Sequence, residues 1–271
     1  MIFADIIKQK KSDVEELKRR FPLHRLRQAV LQGRRTEVRS FKKAVASPHH
    51  LNLICEIKKV SPSEGVLRED FQPLRIANLY EAGGACAISV LTETHYFKGR
   101  PSYLRTVRQV ANLPLLRKDF ILETYQIYES ALLEADAFLL IASILTDEEL
   151  KTLIQLGLEL GMDALVEVHT DEDLKKALGA GAEIIGINNR NLKTLQVDAR
   201  LAKQLIPHIP KGKIVVVESG LKSHDELMAY KSLGVNAFLI GTVLMKSANI
   251  MRELDALLGR DKKWKNSGGV S

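Results

Sequence analysis

The sequence predicts an α/β fold, a closed (β/α)₈ TIM barrel with an N-terminal helical extension. From Leu53 onward, short apolar runs rich in β-branched residues alternate with longer helix-like stretches, and the pair recurs eight times at near-constant length. Such alternation is typical of parallel strands joined by helices. Glycine-containing turns precede several strands, where a helix usually ends. The alternative is an open doubly wound sheet, which usually carries G-x-G-x-x-G after its first strand, and the sequence lacks that motif.

The composition is that of a globular protein: 45% of the 271 residues are hydrophobic and 27% are charged. The net charge of +7 favours anionic ligands, which include phosphorylated metabolites as well as nucleic acid. Cys55 and Cys86 fall in apolar runs without metal-ligand spacing, so we expect buried thiols and neither a zinc site nor disulfides. The N-terminus lacks a signal-peptide core, and no apolar run is long enough to span a bilayer. We therefore expect a cytoplasmic protein.

The first part of the chain lies outside the alternating pattern. Residues 2–31 have apolar side chains at helical spacing, and Pro22 separates two predicted helices. Residues 32–50 have the composition of a polar connector. We expect residues 1–50 to form a helical extension packed on a barrel of residues 51–258, followed by a flexible tail, 259–271, in which Trp264 is a surface anchor. A chain starting near Ser47 should then stay folded but lose activity.

The eight repeats define each strand and the helix that follows it. The predicted strands are Leu53–Lys58, Ala85–Leu91, Pro114–Lys118, Asp136–Ala142, Ala164–Val168, Glu183–Asn188, Ile214–Ser219 and Ala237–Gly241. The predicted helices are Pro73–Ala82, Ser102–Ala111, Glu123–Glu134, Asp147–Leu160, Asp171–Leu178, Ala199–Ile206, His224–Leu233 and Asn249–Leu258. Acid-rich starts after Thr146 and Thr170 indicate capped helices.

The carboxyl ends of the strands are where a barrel of this kind builds its active site. Glu56, Lys58 and Glu167 lie inside strands and are flanked by Ile, Val and Cys. Buried charges require partners or a ligand; the alternative for Glu56 and Lys58 is an edge-strand ion pair of little energetic value. Further polar strand ends are Glu93, Arg117, Lys118, Asp119, His169, Asn188, Asn189, Arg190 and Glu218, whereas the fourth strand ends in Ala142 and Ser143.

Chemistry separates two subsets of these strand ends. Ser219-Gly220 and Gly241-Thr242 follow the last two strands, where barrels commonly bind phosphate through backbone N–H groups. The second subset consists of Lys58, Lys118, Glu56 and Glu167. Two lysines and two carboxylates in one cavity could hold a carboxylate-bearing substrate and move protons without a metal.

At these residues the sequence resembles the indole-3-glycerol-phosphate synthase family of tryptophan biosynthesis, from the N-terminal helices through Leu258. The segments that carry the resemblance are Glu56–Ser63, Ile88–Glu93, Leu116–Phe120, Ala164–His169, Gly186–Leu192, Val217–Gly220 and Ala237–Gly241. The resemblance implies a lyase that acts on 1-(2-carboxyphenylamino)-1-deoxyribulose 5-phosphate. Ring closure expels CO₂, loss of water gives indole-3-glycerol phosphate, and no cofactor or metal is needed.

The resemblance also implies roles for individual residues. Lys118 would be the general acid at the substrate carbonyl, helped by Glu56, while Lys58 would lie near the substrate carboxylate and phosphate. Glu167 would assist dehydration or stabilise the developing cation, and Asn188 would position a hydroxyl. Ser61, Phe120, Arg190 and Glu218 match substrate-binding positions, and Ser219, Gly220, Gly241 and Thr242 match phosphate-binding positions. The division of acid and base duties among the lysines and carboxylates stays open.

Departures from the family pattern are few. Thr242 stands where Ser is usual, Gln72 replaces a common Asp, and Arg100 replaces a common Ser. Two alternative functions are a sister phosphate-binding barrel, such as phosphoribosylanthranilate isomerase or the tryptophan synthase α subunit, and a basic nucleic-acid-binding protein. The basic runs Lys8–Lys11 and Lys18–Arg20 are interspersed with acids, which is typical of a solvated helix face. We expect a small phosphorylated substrate, no nucleic-acid or membrane partner, and a monomer or weak homodimer.

Overall fold

A computed structural model describes residues 2–33, 39–48 and 50–260. The predicted tail therefore falls outside the described residues from position 261 on, and Trp264 with it. Gly259 and Arg260 lie within the described part. The Arg260 guanidinium donates a hydrogen bond to the Gly83 carbonyl at 3.0 Å, which joins the end of the last helix to the turn before the second strand.

Eight parallel strands close into a barrel, which confirms the predicted fold class and excludes the open sheet. They are β1 Asn52–Ile57, β2 Ala87–Leu91, β3 Leu115–Lys118, β4 Ala137–Ile141, β5 Asp163–Val168, β6 Ile184–Asn188, β7 Ile214–Glu218 and β8 Ala237–Ile240. Neighbours in the chain are neighbours in the sheet, and β1 pairs with both β8 and β2. The register places Glu56 beside Ser89, and Asn188 beside Glu218.

Among the described residues, three helices precede the first strand, and the others follow the strands and surround the barrel. They are α1 Ile2–Arg20, α2 Leu23–Gln32, α3 Phe41–Val45, α4 Pro73–Ala82, α5 Ser102–Arg108, α6 Thr124–Leu132, α7 Asp147–Glu159, α8 Asp171–Gly179, α9 Arg200–Leu205, α10 His224–Ser232, α11 Thr242–Lys246 and α12 Ile250–Leu257. Thr146 and Ser223 begin α7 and α10 with reciprocal capping boxes, which satisfy backbone N–H groups that a helix start leaves unpaired. None of the helices in the described ranges is long and apolar enough to cross a membrane.

The core has two layers because both faces of each strand are buried. Alternate residues point outward and pack against the helices, as Cys55 and Ile57 do on β1. The remaining residues fill the barrel interior, including Ile54, Leu116 and Leu165. An interior filled by branched side chains is a solid support rather than a pore. In the described part of the chain, the cavity discussed below lies at the carboxyl end of the strands.

The segment predicted as a polar connector contains helix α3, so that prediction is wrong. Phe41 and Val45 are fully buried among side chains of the barrel interior. Two apolar residues four apart lie on one helix face, although the charged residues around them hide this short signal in the sequence. The Lys42 amide donates to Asp163 at the start of β5, and Asn52 at the start of β1 donates to the Val45 carbonyl. Helix α3 therefore closes the amino end of the barrel.

Helix α1 lies at the opposite end of the barrel from α3. Its buried residues are Ile6, Lys10 and Val14. Ile6 belongs to the same apolar cluster as Phe120 after β3, and Val14 packs with Tyr125 and Tyr128 of α6. A two-stranded hairpin of Val60–Ser61 with Gly65–Val66 follows β1 and was not predicted. The helix and the hairpin both border the cavity described next.

Candidate active site

A cavity of about 890 Å³ opens at the carboxyl end of the strands. Such a position is the usual one for the active site of this fold. Every residue predicted for the site lines this cavity. These residues are Glu56, Lys58, Ser61, Lys118, Phe120, Glu167, Asn188, Arg190, Glu218, Ser219, Gly220, Gly241 and Thr242. The structure thus brings together predicted residues from six separate segments of the chain, and β4 adds two apolar side chains, Leu139 and Ile141.

The floor of the cavity is a charge cluster centred on Lys118. Its Nζ lies 3.1 Å from Glu167 Oε2 and also pairs with Glu218 Oε2. Burial lowers the pKa of Lys118, but the negative charges of Glu218, Glu167 and Glu56 outweigh burial, so the pKa lies above its ordinary value. The side chain is therefore an ammonium at neutral pH. It is a proton donor held by two carboxylates.

The two carboxylates that hold Lys118 differ in their pKa. Burial raises the pKa of Glu218 to about 7, and the nearby charges of Glu167 and Glu56 act in the same direction. For Glu167, the charges of Lys118 and His169 outweigh burial and lower the pKa below its ordinary value. Paired groups with divergent pKa values are a common arrangement for acid–base chemistry. Glu167 is the ionised member, and Glu218 is the one that can exchange a proton near neutral pH.

Each of these carboxylates also has one oxygen available to a ligand. Within the described residues, Glu167 Oε1 and Glu218 Oε1 are buried and have no hydrogen-bond partner. His169 Nε2 lies 3.6 Å from Glu167 Oε1, beyond hydrogen-bond distance. Buried polar atoms are normally paired, so both atoms are suited to accept a hydrogen bond from a bound hydroxyl or amine. Gly186 makes room for one of them, because a Cβ at this position would lie 2.8 Å from Glu218 Oε1.

A second charged pair stands beside the Lys118 cluster. Lys58 Nζ lies 2.5 Å from Glu56 Oε2, and the two side chains are largely buried. The alternative of an edge-strand pair is wrong, because β1 is hydrogen-bonded on both sides in a closed barrel. Both charges instead face the cavity.

The loops after β7 and β8 form the end of the cavity predicted to bind phosphate. Ser219 and Gly220 both have positive φ, 66° and 77°, and a non-glycine residue in that region stores backbone strain. Helix α11 starts at Thr242, and the N–H groups of its first turn have no acceptor within the helix. A Cβ at Gly241 would collide with the carboxylate of Glu56. Glycine is therefore required there by the position of the Glu56 carboxylate in the floor of the cavity.

The hairpin after β1 contributes Ser61 and Glu64 to the rim. Glu64 lies 3.5 Å from Arg190 and 2.6 Å from Lys246 of α11. The hydrogen bond from Lys246 lowers the pKa of Glu64. The Arg190 carbonyl is 3.1 Å from His169 Nε2. The rim is thus held by contacts among the loops after β1, β6 and β8.

Aromatic side chains form one wall of the cavity, and sequence reasoning found only one of them. Phe120 packs edge to face on Phe3 of α1, with ring centroids 6.2 Å apart. The Phe97 ring also packs on Phe120, at a tilt of 42° and with ring centroids 6.2 Å apart. Phe3 and Phe97 both line the cavity. They were missed because neither residue lies at the end of a predicted strand. This aromatic wall of Phe3, Phe97 and Phe120 is suited to the flat face of an aromatic ring.

Two other polar residues at strand ends have structural contacts outside the charge cluster of the floor. Glu93 is buried and accepts hydrogen bonds from the amides of His95, Tyr96 and Phe97, so it fixes the loop that carries Phe97. Arg117 points away from the cavity and pairs with Glu129 of α6. In the described part of the chain, no group of three or more His, Cys, Asp or Glu side chains is placed to hold a metal ion.

Comparison with known proteins shows a match to one protein family over most of the chain. The family model for indole-3-glycerol phosphate synthase matches residues 3–257. A protein of that name from Campylobacter jejuni is 45% identical over 258 residues, covering 95% of this chain and 100% of the relative. Another, from Sulfurimonas denitrificans, is 47% identical over 247 residues, covering 91% and 94%.

Solved structures add a likeness in fold alone. KGPDC from Streptococcus mutans is similar with a TM-score of 0.60 at 15% identity, covering 81% of this chain and 100% of the other. A mutant tryptophan synthase alpha-subunit from Pyrococcus furiosus is similar with a TM-score of 0.58 at 14% identity, covering 77% and 98%. At these identities the comparison supports the barrel and not a shared activity.

Proposed function

The chain belongs to the indole-3-glycerol phosphate synthase family, and we propose that the charge cluster around Lys118 drives the reaction. The enzyme closes the indole ring of 1-(2-carboxyphenylamino)-1-deoxyribulose 5-phosphate with loss of CO₂ and water, a step of tryptophan biosynthesis. This family membership decides against the sister barrels as alternatives. The placement of Lys118 between Glu167 and Glu218 inside the cavity is the observation that supports the assignment of roles.

In the first step, the ring carbon that bears the carboxylate attacks the C2 carbonyl carbon of the sugar chain. The new C–C bond pushes electrons onto the carbonyl oxygen, and the Lys118 ammonium donates a proton to it. Cleavage of the bond to the carboxylate then releases CO₂ and returns an electron pair to the ring, which restores aromaticity. A positioned acid of this kind typically contributes roughly 10²–10⁴-fold to a rate.

Dehydration completes the indole. Lys118, reprotonated after the first step, donates a second proton to the hydroxyl formed there, and this group leaves as water. The neighbouring CH₂ loses a proton to form the double bond. Glu167, which is ionised, is the base of this step in our proposal, and Asn188 orients a hydroxyl of the sugar chain. Glu218 has a pKa near neutrality, so it can return a proton to Lys118 between steps.

The remaining contacts bind the two ends of the substrate. We assign the phosphate to the loops of Ser219, Gly220, Gly241 and Thr242, and the substrate carboxylate to Lys58. The aromatic wall with Phe120 receives the carboxyphenyl ring, while Ser61 and Arg190 close the rim. We also propose a cytoplasmic enzyme with a small phosphorylated substrate and no nucleic-acid partner, and a monomer or weak homodimer. Both cysteines are free thiols, which is compatible with a reducing compartment.

The direct test is incubation with 1-(2-carboxyphenylamino)-1-deoxyribulose 5-phosphate. We expect stoichiometric release of CO₂ together with indole absorbance and fluorescence. The Lys118→Met variant is the matched control, because it keeps the apolar stem of the side chain and removes the proton donor. Conversion without CO₂ release, or equal rates in the two proteins, would contradict the assignment.

A further inference from the structure

Lys10 is a charged residue on the buried face of helix α1. The buried residues of this helix, Ile6, Lys10 and Val14, are four apart and therefore lie on one face. Only 7% of the Lys10 surface is exposed. Lysine is almost never buried to this degree unless it is paired, so this position has a specific partner.

The partner is Asp119, the residue between Lys118 and Phe120. Lys10 Nζ lies 2.7 Å from Asp119 Oδ1, and the Asp119 side chain is fully buried. The same oxygen accepts the amide N–H of Phe120 at 2.8 Å. The other oxygen accepts hydrogen bonds from Thr92 and Arg117. The carboxylate thus joins α1 to the backbone from which Phe120 projects.

The pair also places α1 on the cavity. Phe3 and Ile6 lie upstream of Lys10 in the same helix, and both line the cavity, with Phe3 packed on Phe120. A shift of α1 by one turn would bury Lys10 without its carboxylate, which is strongly unfavourable. The ion pair therefore permits one register of the helix, and that register determines where Phe3 and Phe120 stand.

We propose that Lys10 is a positioning residue for the reaction, which through Asp119 fixes Phe3 and Phe120 in the arrangement that receives the aromatic ring of the substrate. This inference rests on the proposed function. Lys10 does not line the cavity and makes no contact with substrate in our assignment. Its effect is on binding, because the wall contacts the ring before and during the reaction alike.

The experiment compares Lys10→Met with Lys18→Met. Lys18 lies on the same helix and also pairs with a barrel residue, Glu123 at 3.0 Å, but it is one-third exposed and lies outside the cavity lining. We expect Lys10→Met to raise KM by about two- to tenfold, the affinity that a well-placed aromatic contact is worth, with kcat little changed. Lys18→Met should leave both constants unchanged. Lys10→Arg, which keeps a cation, should retain most of the affinity.

A second measurement does not depend on activity. Hydrogen exchange at the Phe120 amide and in residues 3–10 should be faster in Lys10→Met than in wild type, and unchanged there in Lys18→Met. If the wild type fails to turn the substrate over, the proposed function fails, and exchange at Phe120 still decides whether Lys10 holds the wall. Equal effects of the two methionine variants on KM and on exchange would overturn the inference. Additive effects of Lys10→Met and Phe3→Ala on KM would do so too, because the two residues are inferred to act through one wall.

Discussion

Lys118 on β3 lies 3.1 Å from Glu167 on β5, across the mouth of the barrel and past the intervening strand β4. Strands that are not neighbours in the sheet are connected here by charge. Glu218 on β7 joins the same ammonium from the other side. The carboxyl ends of these three strands thus meet at one buried cation. We expect the removal of that cation to affect both the reaction rate and the stability of the fold.

The first prediction concerns Lys118→Met. We expect kcat to fall by roughly 10²–10⁴-fold, the range for loss of a general acid, with KM little changed because the phosphate loops remain. The variant leaves Glu167 and Glu218 buried without their cation, and breaking such a pair costs about 3–5 kcal/mol of unfolding free energy. Adding Glu218→Gln should recover part of that stability but none of the rate. If kcat falls by less than about tenfold, below the usual range for an acid, the role passes to Lys58.

The second prediction uses the raised pKa of Glu218. The pKa of the Glu218 carboxyl group is about 7 in the folded protein and 4.5 in the unfolded chain, so the folded protein keeps this proton to a higher pH. The folded state is therefore favoured below pH 4.5, and this contribution is lost as pH rises from 4.5 to about 7. Relative to Glu218→Gln, wild type should lose up to about 3 kcal/mol over that range. The free energy of unfolding of both proteins, measured in urea at several pH values, gives this difference.

Glu183→Gln is the control for this titration. Glu183 is about half exposed, and hydrogen bonds from Lys213 and Lys42 lower its pKa. A lowered pKa favours the folded state as pH rises, so the stability of wild type relative to Glu183→Gln should not fall between pH 4.5 and 7. If the stability of wild type relative to Glu218→Gln does not fall either, Glu218 is ionised throughout this range.

The third prediction concerns Gly241→Ala. A methyl group here would meet the Glu56 carboxylate, so Glu56 must move away from Lys58. We expect kcat to fall and KM to rise together, with kcat/KM lower by at least about tenfold. Gly179→Ala is the control, because a Cβ at the end of α8 meets nothing within 4 Å. An effect on KM alone would assign Gly241 to the phosphate site without a link to Glu56.

The sequence predicted the barrel and its floor well, for a physical reason. Strand and helix periodicity is local, and the carboxyl ends of parallel strands converge by geometry, so Glu56, Lys118 and Glu167 were identifiable without coordinates. Phe3 and Lys10 were not, because they reach the site through the docking of α1. No local pattern encodes which face of that helix meets which strand.

The last prediction concerns how much of the N-terminal extension the barrel needs in order to fold. The sequence suggested that a chain starting near Ser47 would fold, but such a chain lacks Phe41 and Val45, which are fully buried at the amino end of the barrel. Loss of a buried phenylalanine side chain alone costs about 3–5 kcal/mol. A chain starting at Arg39, preceded by an initiating Met, keeps α3 and the hydrogen bond from the Arg39 amide to Asp136.

We therefore expect the chain from Arg39 to unfold cooperatively and to have lost activity, because α1 and its part of the aromatic wall are missing. The chain from Ser47 should be much less stable, with a lower unfolding midpoint or no cooperative transition. Phe41→Ala in the full chain is the matched variant and should lower stability by about 3–5 kcal/mol while leaving KM unchanged. Equal unfolding midpoints for the two shortened chains would show that α3 does not support the barrel, and full activity in the chain from Arg39 would show that α1 does not form part of the site.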